Sequence, residues 1–250
     1  MRIAVLADIH GNVLALEAVL ADLEARGGAD FIVDLGDRAS GPLWPRETLD
    51  RLAQVECVAV RGNHDRQVAT LAAELMNASD RYTLDEITDE QRQALGGLPE
   101  EAWIGEGILA LHASPASDTA YLLDRVDKGR LVRDRLDDIE VRLAKSDDAR
   151  IVLTAHSHRP DMVRLPGGPV IVNPGSVGCP AYDDDAPPHV SESGSPHARY
   201  AIVTPGAGED LPEVLFVGLR YDHEAAAQRA EANARADWAH ALRTGFMPPA

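Results

Sequence analysis

Hydrophobic runs and amphipathic segments alternate along the first part of the chain. Three apolar runs have the length of buried strands: Arg2 to Ala7, Phe31 to Leu35 and Val55 to Val60. Leucine and valine recur at helical spacing over Val13 to Arg26, and Gly27-Gly28 ends that pattern. Helical patterns also cover His64 to Met76 and Asp89 to Leu95. Strands that alternate with helices in this way predict parallel βαβ units.

The chain after residue 102 carries shorter and more closely spaced strand patterns. Trp103-Ile104 and Gly107 to Leu111 predict a hairpin, and an Arg- and Asp-rich helix is predicted over Leu123 to Lys145. Five further apolar runs predict strands: Ile151 to Thr154, Met162 to Leu165, Val170 to Val172, Tyr200 to Thr204 and Val214 to Leu219. Their close spacing favours antiparallel pairing.

Two segments of biased composition complete this prediction. Residues 183–198 (DDDAPPHVSESGSPHA) are polar and rich in Pro and Ser, which predicts a mobile loop. The Ala-rich stretch at about 224–242 predicts a helix on the surface. The sequence has no internal repeat, so we expect residues 1–250 to form a single domain.

The composition is that of a soluble globular protein, since 45% of the 250 residues are apolar and 26% are charged. Two cysteines, Cys57 and Cys179, exclude a disulfide framework and a Cys-rich zinc module. No apolar run approaches the ~20 residues that a membrane span needs. Asp8 comes too early for a signal peptide, so we expect a reducing cytoplasm and no membrane partner.

Acidic and imidazole side chains follow the predicted strand ends. They are Asp8-x-His10, Gly36-Asp37, Gly62-Asn63-His64-Asp65, His112 and His156-x-His158. Ligands of open α/β sheets bind outside the carboxyl ends of the strands, so these side chains are expected to converge. By composition, Gly-Asn-His-Asp arises by chance in only about one of several hundred such chains, whereas Asp-x-His is expected about once per chain. The ordered series therefore carries more information than any of its members.

The donor types in this series suit a hydrolase centre with two metal ions. A carboxylate can bridge two divalent cations about 3.5–4 Å apart, and Asp37 is our candidate for the bridge. Imidazole with carboxylate favours Mn, with Fe, Zn, Co or Ni as alternatives, over Mg or Ca. Such a pair polarises a phosphoryl group and generates hydroxide near neutral pH. His64 could then protonate the leaving alkoxide, while Asp65 holds the other ring nitrogen of His64.

The same motifs resemble the signature of calcineurin-like metallophosphoesterases. Other segments resemble a bacterial and archaeal branch described as predicted phosphodiesterases: Gly41-Pro42 with Pro45, Arg61, Leu111 to Pro115, and Asn173 to Gly178. The resemblance covers residues 2 to about 224, which is nearly the whole chain.

This resemblance implies a ligand set and a fold. One metal ion would be held by Asp8, His10, Asp37 and His158, and the second by Asp37, Asn63, His112 and His156. His64 would contact the substrate phosphoryl group beside Asn63 and act as the acid. The implied fold is an α/β, four-layer αββα sandwich of two mixed β-sheets stacked face to face, with helices outside and the dinuclear metal site at the carboxyl ends of the strands.

Two positions depart from the usual family pattern. Ala113 and Ala155 stand where the family usually has glycine, after the third-motif histidine and before His-x-His. Glycine is favoured where the backbone approaches a metal closely, and alanine adds one methyl group. We expect slightly altered geometry and retained metal binding. The loop at 183–198 also looks longer than the usual connection, and could act as a lid or be disordered.

Several other residues have a functional and a plainer interpretation. Arg38 could clamp a substrate phosphate or be a surface arginine. Asn173 to Gly178 could shape the floor of the site, although a tight turn between strands is the preferred interpretation. Cys57 is expected to be inert in the core, and Cys179 to lie near the metals without a reactive role. The remaining histidines are expected to be solvated: His189, His197, His223 and His240.

These observations predict a metal-dependent phosphoesterase, with phosphodiester hydrolysis as the first choice and in-line attack by a metal-bound hydroxide. Phosphomonoesterase, nucleotide hydrolase and protein phosphatase activities are alternatives on the same centre. A non-catalytic scaffold and a nucleotide sensor are the alternatives from another class. The formal charge of −17 disfavours extended nucleic-acid binding and favours a small phosphorylated substrate. The oligomeric state is left open.

Overall fold

The computed structural model describes residues 1–143, 148–208 and 210–249. Its helices are α1 (Val13–Ala25), α2 (Pro45–Leu52), α3 (Asn63–Thr70), α4 (Ala78–Glu86), α5 (Asp89–Gly96), α6 (Leu136–Leu143), α7 (His223–Ala232) and α8 (Ala236–Thr244). Its strands are β1 (Ile3–Leu6), β2 (Phe31–Asp34), β3 (Val58–Ala59), β4 (Glu101–Trp103), β5 (Ile108–Leu111), β6 (Asp124–Asp127), β7 (Arg130–Arg133), β8 (Ile151–Leu153), β9 (Asp161–Arg164), β10 (Val170–Asn173), β11 (Ala181–Asp185), β12 (Pro188–Glu192), β13 (Ala198–Thr204) and β14 (Glu213–Leu219).

The strands form three mixed sheets. The first has the order β14-β13-β1-β2-β3 and the second the order β4-β5-β8-β10-β9. Strands β1, β2 and β3 run parallel, as do β5, β8 and β10, and antiparallel strands flank both sets. The third sheet, β11-β12-β7-β6, is made from the later part of the chain.

Alternation along the strands places the two five-stranded sheets face to face. Ile3 and Val5 of β1 pack in one buried cluster with Ile151 and Leu153 of β8. The intervening side chains of β1, such as Leu6, pack on the opposite face in the same cluster as residues of α1. On the outer face of the second sheet, residues of β5 and β8 share a cluster with α6. This arrangement confirms the predicted αββα layers, and the third sheet is an addition to them.

Two stretches of secondary structure differ from the sequence prediction. Residues Leu123 to Lys145 do not form one helix, because β6 and β7 pair as a hairpin around Gly129 before α6 begins. The end of that prediction, at Ala144 and Lys145, lies outside the described residues. The prediction of a loop at 183–198 is wrong over most of that range, because β11 and β12 pair as a second hairpin. Both hairpins are rich in charged residues, so neither gives an apolar strand pattern.

Smaller differences concern the helices. The Ala-rich stretch is two helices, α7 and α8, separated at Ala234, which has a φ of 58°. The pattern from His64 to Met76 is α3 followed by a short 3₁₀ helix at Ala73–Leu75. Helices α2 and α4 were not predicted, because both are short and mostly polar. Within the part of the chain that is described, no helix combines the length and apolar character needed to cross a bilayer.

Candidate metal centre

The loops after the parallel strands place the site residues in an unusual backbone conformation. Seven non-glycine residues have positive φ among the described ones, and five of them belong to the predicted ligand set: Asp8, His10, Asp37, His156 and His158. Their φ angles lie between 51° and 67°, in the left-handed region that residues other than glycine rarely adopt. Strain of this kind clusters at functional sites, where the surrounding structure holds it in place.

Two glycines allow the loop after β2 and the loop after β3 to lie in contact. A Cβ on Gly62 would lie 2.1 Å from Oδ1 of Asp37. Gly36 has a φ of +95°, and a Cβ there would lie 2.3 Å from the backbone nitrogen of Gly62. Glycine at both positions therefore brings Asp37 against the start of α3.

Asp8, His10 and His158 form the first cluster of side chains able to hold a metal ion. Nε2 of His10 lies 3.2 Å from Nε2 of His158, which lies 3.6 Å from Oδ1 of Asp8. All three residues are buried. Two nitrogens that bind one cation at about 2.0–2.1 Å each stand about 3 Å apart, so the spacing fits a shared ion.

Hydrogen bonds to backbone carbonyls orient both imidazoles of this cluster. Nδ1 of His10 donates to the carbonyl oxygen of Ser40 at 2.6 Å, and Nδ1 of His158 donates to that of Cys179 at 2.7 Å. A carbonyl can only accept, so the proton is on Nδ1 and the Nε2 lone pair faces the centre of the cluster. Burial lowers the pKa of His10 to about 4 and that of His158 well below its ordinary value, so both rings are neutral ligands.

Asp8 supplies the observation that points most directly to a cation. Its side chain is fully buried, and among the described residues neither carboxylate oxygen has a hydrogen-bond partner. Burial raises the pKa of the Asp8 carboxyl well above its ordinary value. A buried carboxylate without partners is expensive, and a metal ion supplies the missing positive charge. The donor set and this orphaned carboxylate therefore fit a divalent cation.

The second cluster consists of Asp37, His112 and His156, with Asn63 beside it. Nε2 of His112 lies 3.3 Å from Oδ2 of Asp37 and 3.1 Å from Oδ1 of Asn63. Nδ1 of His112 donates to the carbonyl of Leu35, whereas His156 donates from Nε2 to the carbonyl of Thr119 at 3.1 Å. His156 therefore offers Nδ1 to the site, and His112 offers Nε2.

Asp37 lies between the two clusters. Its Oδ1 accepts the backbone N–H of His64 at 2.9 Å, at the first turn of α3. Its Oδ2 faces His112 in one cluster at 3.3 Å and His10 in the other at 3.8 Å. Burial alone would raise the pKa of Asp37, but the neighbouring His112 and His64 rings hold it well below its ordinary value. A single oxygen of Asp37 is thus placed to bridge two cations.

The charge states of the second cluster depend on its carboxylate. Burial and the neighbouring His112 lower the pKa of His156 to about 3. Burial also disfavours charge on His112, yet the adjacent Asp37 carboxylate raises its pKa to about 10. Bound cations would displace that proton, because a metal ligand must offer its lone pair. Imidazole and carboxylate donors of this kind suit Mn, Fe, Zn or Co.

His64 lies at the edge of the site, where Asp80 orients it. Nδ1 of His64 is 2.8 Å from Oδ1 of Asp80, which also accepts the Ser40 hydroxyl at 2.6 Å. Burial disfavours the charged ring, but the Asp37 and Asp80 carboxylates raise the pKa of His64 to about 9. The other ring nitrogen, Nε2, has no hydrogen-bond partner among the described residues.

The prediction that Asp65 holds His64 is wrong. The Asp65 carboxylate accepts hydrogen bonds from the backbone N–H groups of Gly62, Asp37 and Arg38 at 2.9–3.1 Å. It therefore links the loop after β2 to the loop after β3. Burial and the Asp37 carboxylate raise the pKa of Asp65 to about 6. Asp80 was not predicted from the sequence. This residue lies in the first turn of α4, where the capping residue Asn77 indicates only that a helix begins.

Arg38 is turned away from the site. Its Nε lies 2.6 Å from Oδ2 of Asp34, and its guanidinium also reaches the sulfur of Cys57. It does not line the cavity over the metal clusters. Desolvation opposes the charge of Arg38, but the Asp34 carboxylate holds its pKa above the ordinary value. Arg38 is therefore neither a phosphate clamp nor a free surface arginine, because it forms a partly buried ion pair with the buried Asp34.

The segment from Asn173 to Gly178 does more than connect strands. Ser176 Oγ and the N–H of Gly178 both donate to the carbonyl of Asp8, at 2.8 and 3.0 Å. A Cβ on Gly178 would lie 1.8 Å from the carbonyl oxygen of Ile9. Cys179 follows with its thiol buried, which raises its pKa and leaves it unreactive. The segment therefore supports the floor of the site from behind Asp8.

His189 is buried, contrary to the expectation of a solvated ring. Its Nε2 lies 2.8 Å from the Tyr121 hydroxyl, which is 2.7 Å from that of Tyr182. Tyr182 in turn donates to the carbonyl of His156, and Tyr121 stacks on the His156 ring. The β11–β12 hairpin therefore braces the second cluster, a role that its polar sequence did not reveal.

Ala113 and Ala155 are accommodated without strain. Both are buried, and neither has a positive φ. The backbone N–H of Ala155 donates to the carbonyl of His112 at 2.7 Å, in regular register between neighbouring strands. The two methyl groups are therefore buried, and the loops that carry His112, His156 and His158 keep the geometry of the two clusters.

A cavity of about 410 Å³ lies over the two clusters. Its inner lining includes His10, Asp37, Asn63, His64, His156 and His158. Its outer lining comes from the start of α4, from β11 and from α8, with Tyr182 and Trp238 as its aromatic side chains. The cavity is large enough to hold a small molecule directly above the two clusters.

Comparison with known proteins finds similar chains and similar folds over nearly the whole length of this chain. The chain is 27% identical over 260 residues to an uncharacterized protein of Methanocaldococcus jannaschii, covering 94% of each chain. A metallophosphoesterase from Sphaerobacter thermophilus has a similar structure, with a TM-score of 0.73, 24% identity and coverage of 98% and 99% of the two chains. A hypothetical protein from Pyrococcus horikoshii gives a TM-score of 0.77 at 22% identity, with 99% of each chain covered.

The family assignment rests on a match to a sequence model of a whole family. The sequence model of the calcineurin-like phosphoesterase superfamily domain matches residues 1–191, a span that includes both metal clusters and the histidine at the start of α3. This confirms the resemblance that the strand-end motifs indicated. The chain belongs to the calcineurin-like phosphoesterase superfamily.

Proposed function

We propose that this protein is a metal-dependent phosphodiesterase that hydrolyses a small phosphodiester at a dinuclear centre. The observation that carries the proposal is the position of Asp37, whose Oδ2 faces His10 in one cluster and His112 in the other. Two such clusters sharing one carboxylate are the arrangement that clamps a phosphoryl group between two cations. Family membership supports the hydrolase class.

The ligand assignment follows from the donors. Asp8, His10 and His158 with Asp37 would hold one ion, and Asp37, Asn63, His112 and His156 the other. Bound cations would lower the pKa of water and neutralise charge on the phosphoryl oxygens. We propose Mn as the native metal, with Fe, Zn, Co or Ni as alternatives.

His64 is assigned the proton transfer. Its Nδ1–H is held by Asp80, so Nε2 keeps a fixed direction at the edge of the cavity. A proton on Nε2 would pass to the leaving oxygen of the ester as the P–O bond breaks. Asp80 acts through His64, and is therefore a positioning residue.

The surroundings of the site favour a small substrate. The cavity of about 410 Å³ has room for a small ester, and the chain has a formal charge of −17. Such a charge disfavours long polyanions, so extended nucleic acid is a poor partner. The two unpaired cysteines suit a reducing cytoplasm as the place of action.

The test combines metal analysis with a choice of substrates. Purified protein is reconstituted with Mn, analysed for metal content, and assayed on bis-p-nitrophenyl phosphate and p-nitrophenyl phosphate. The proposal predicts about two ions per chain and turnover of the diester. Turnover of the monoester alone would indicate a phosphatase. Two ions without turnover of any ester would indicate a sensor, and no metal uptake would contradict the dinuclear centre.

A further inference from the structure

The end of the chain closes one side of the cavity over the metal centre. Five residues in and around α8 line the cavity: Arg235, Asp237, Trp238, Ala241 and Met247. The two metal clusters, by contrast, are built from residues that end at His158. The wall of the cavity therefore comes from a different part of the chain than the metal site, and can be altered without touching a ligand.

Hydrogen bonds fix α7 and the turn after it to the rest of the site. Nδ2 of Asn233 donates to the carbonyl of Pro42 at 2.8 Å and to the hydroxyl of Tyr82, on α4, at 2.9 Å. Nε of Arg229 donates to the carbonyl of Leu43 at 3.0 Å. The helices α7 and α8 are thus tied both to α4 and to the loop after β2, so the wall has a defined position above the centre.

The ring of Trp238 is packed on several sides. Gly41 lets it lie against the loop after β2, since a Cβ on that glycine would be 3.0 Å from Cη2 of Trp238. The guanidinium of Arg235 lies over the ring at 5.7 Å from its centroid, and both carboxylate oxygens of Asp237 hold that guanidinium in place. The ring also packs against a buried cluster that includes Leu242. A ring held in this way is a rigid wall, and the face under the guanidinium is not free to stack on a ligand.

Trp238 borders the same part of the site as His64. The ring centroid of His10 lies 6.0 Å from that of Trp238 and 5.5 Å from that of His64. Nη1 of Arg235 donates to the hydroxyl of Ser79 at 2.9 Å, and the next residue of α4 is the one that orients His64. The group attached to the oxygen that His64 protonates therefore lies in the space that the Trp238 ring limits.

On the basis of the proposed phosphodiesterase function, we propose that Trp238 determines specificity by excluding bulky leaving alcohols. The substrate is then a phosphodiester with a compact leaving group, which fits with the phosphoryl group in the cavity of about 410 Å³. Hydrolysis adds water across one P–O bond, so the alcohol leaves with a proton and a phosphomonoester remains. A rigid wall rejects a larger group by steric clash, which lowers its kcat/KM relative to that of a smaller one.

The test uses two diesters whose leaving groups differ in size. Methyl p-nitrophenyl phosphate releases a phenol with one ring, and methyl 4-methylumbelliferyl phosphate releases a phenol with two fused rings. The ratio of their kcat/KM values is measured for each Mn-loaded variant, so the intrinsic reactivities of the two esters cancel between variants. Trp238→Ala should raise the relative kcat/KM of the umbelliferyl ester about tenfold, because the clash is removed. Trp238→Phe, which keeps an aromatic ring of smaller size, should raise it by less.

A matched control and a second measurement accompany these variants. Trp103→Ala removes an exposed tryptophan of β4 that does not line the cavity, and should keep the wild-type ratio. Thermal melts and metal content show whether each variant is folded and loaded. If Trp238→Ala does not fold, Trp238→Phe decides the question, since it preserves most of the packing against α7 and α8.

The outcomes separate this proposal from the function on which it rests. A ratio that rises in the Trp238 variants and stays constant in Trp103→Ala supports the proposal. An unchanged ratio in folded, loaded Trp238 variants overturns it while diester hydrolysis stands. A lower ratio also overturns it, because the ring would then attract the larger group. Failure of the wild type to hydrolyse these esters and bis-p-nitrophenyl phosphate alike overturns the proposed function itself.

Discussion

The Nε2 atoms of His10 and His158 lie 3.2 Å apart, and each ring keeps its proton on Nδ1. Two lone pairs therefore face each other, with the unpartnered carboxylate of Asp8 beside them. Without a cation this arrangement is repulsive and poorly solvated, and with one it becomes a set of ligands. We therefore expect metal binding to increase the stability of the fold.

Bound metal should stabilise the protein, and replacing Asp8 should weaken this dependence of stability on metal. In the metal-free protein, Asp8→Asn removes a buried acidic group that has no partner among the described residues, so we expect stability to rise by about 1–3 kcal/mol. In the wild type, Mn at about 100 times its dissociation constant should add about 2.7 kcal/mol. Thermal melts with and without Mn measure both effects. A metal-free Asp8→Asn protein less stable than the wild type would contradict this account of Asp8.

Asp37→Ala should abolish turnover and leave at most one metal ion per chain, because both clusters lose the oxygen they share. Asp50→Ala, which removes an exposed carboxylate on α2, is the matched control and should keep full activity. Elemental analysis and the diester assay provide the measurements. Full activity in Asp37→Ala would refute the bridging role.

His64→Gln should keep both metals and lower turnover by roughly 10²–10⁴ on an alkyl phosphodiester. The loss should be smaller on a p-nitrophenyl ester, because that leaving group departs as a stable anion without help from an acid. Asp80→Asn should reduce turnover in the same substrate-dependent way but by less, since His64 remains. Equal losses on both kinds of ester would mean that His64 binds phosphate and does not supply a proton.

Arg38→Met should destabilise the fold while leaving kcat and KM within a few-fold of the wild type. The substitution leaves Asp34 buried without its partner, which costs about 3–5 kcal/mol in comparable cases. The double variant Asp34→Asn, Arg38→Met should recover much of that stability. Denaturant unfolding and diester kinetics test the pair. A large rise in KM at unchanged stability would restore the role of phosphate clamp.

Gly62→Ala should prevent normal metal binding, since the added methyl would lie 2.1 Å from Oδ1 of Asp37. Gly97→Ala is the control, because a Cβ there meets its nearest atom at 3.4 Å. Metal content after Mn reconstitution distinguishes the two variants. Two ions bound tightly by Gly62→Ala would indicate that the two loops separate more easily than their packing indicates.

The sequence predicted that the acidic and imidazole side chains of the two clusters converge because they follow parallel strands, where a local pattern and a simple topology rule act together. Asp8, Asp37 and His112 each come within a few residues of an apolar run. Asp80 and Trp238 lie on helices and not at strand ends, so no local pattern connects them to the site. Their positions depend on how α4 and α8 pack, which a single sequence does not specify.

The third sheet was missed for a different reason. Strands such as β11, with Asp183 to Asp185, are held by backbone pairing at the rim of the site and show exposed polar side chains. Hydrophobic alternation, the main signal for strands, is absent from such segments. The same lack of signal concealed the buried contacts of Tyr182 and His189, which depend on pairing between distant parts of the chain.

The central claim is that Asp37 joins two metal ions in one centre. Electron paramagnetic resonance of the Mn-reconstituted protein, with metal content measured on the same sample, tests it most directly. We predict two Mn ions per chain and a spectrum of exchange-coupled ions, because one carboxylate oxygen lies between the clusters. A single ion per chain, or two ions with the spectrum of isolated Mn, would contradict the claim.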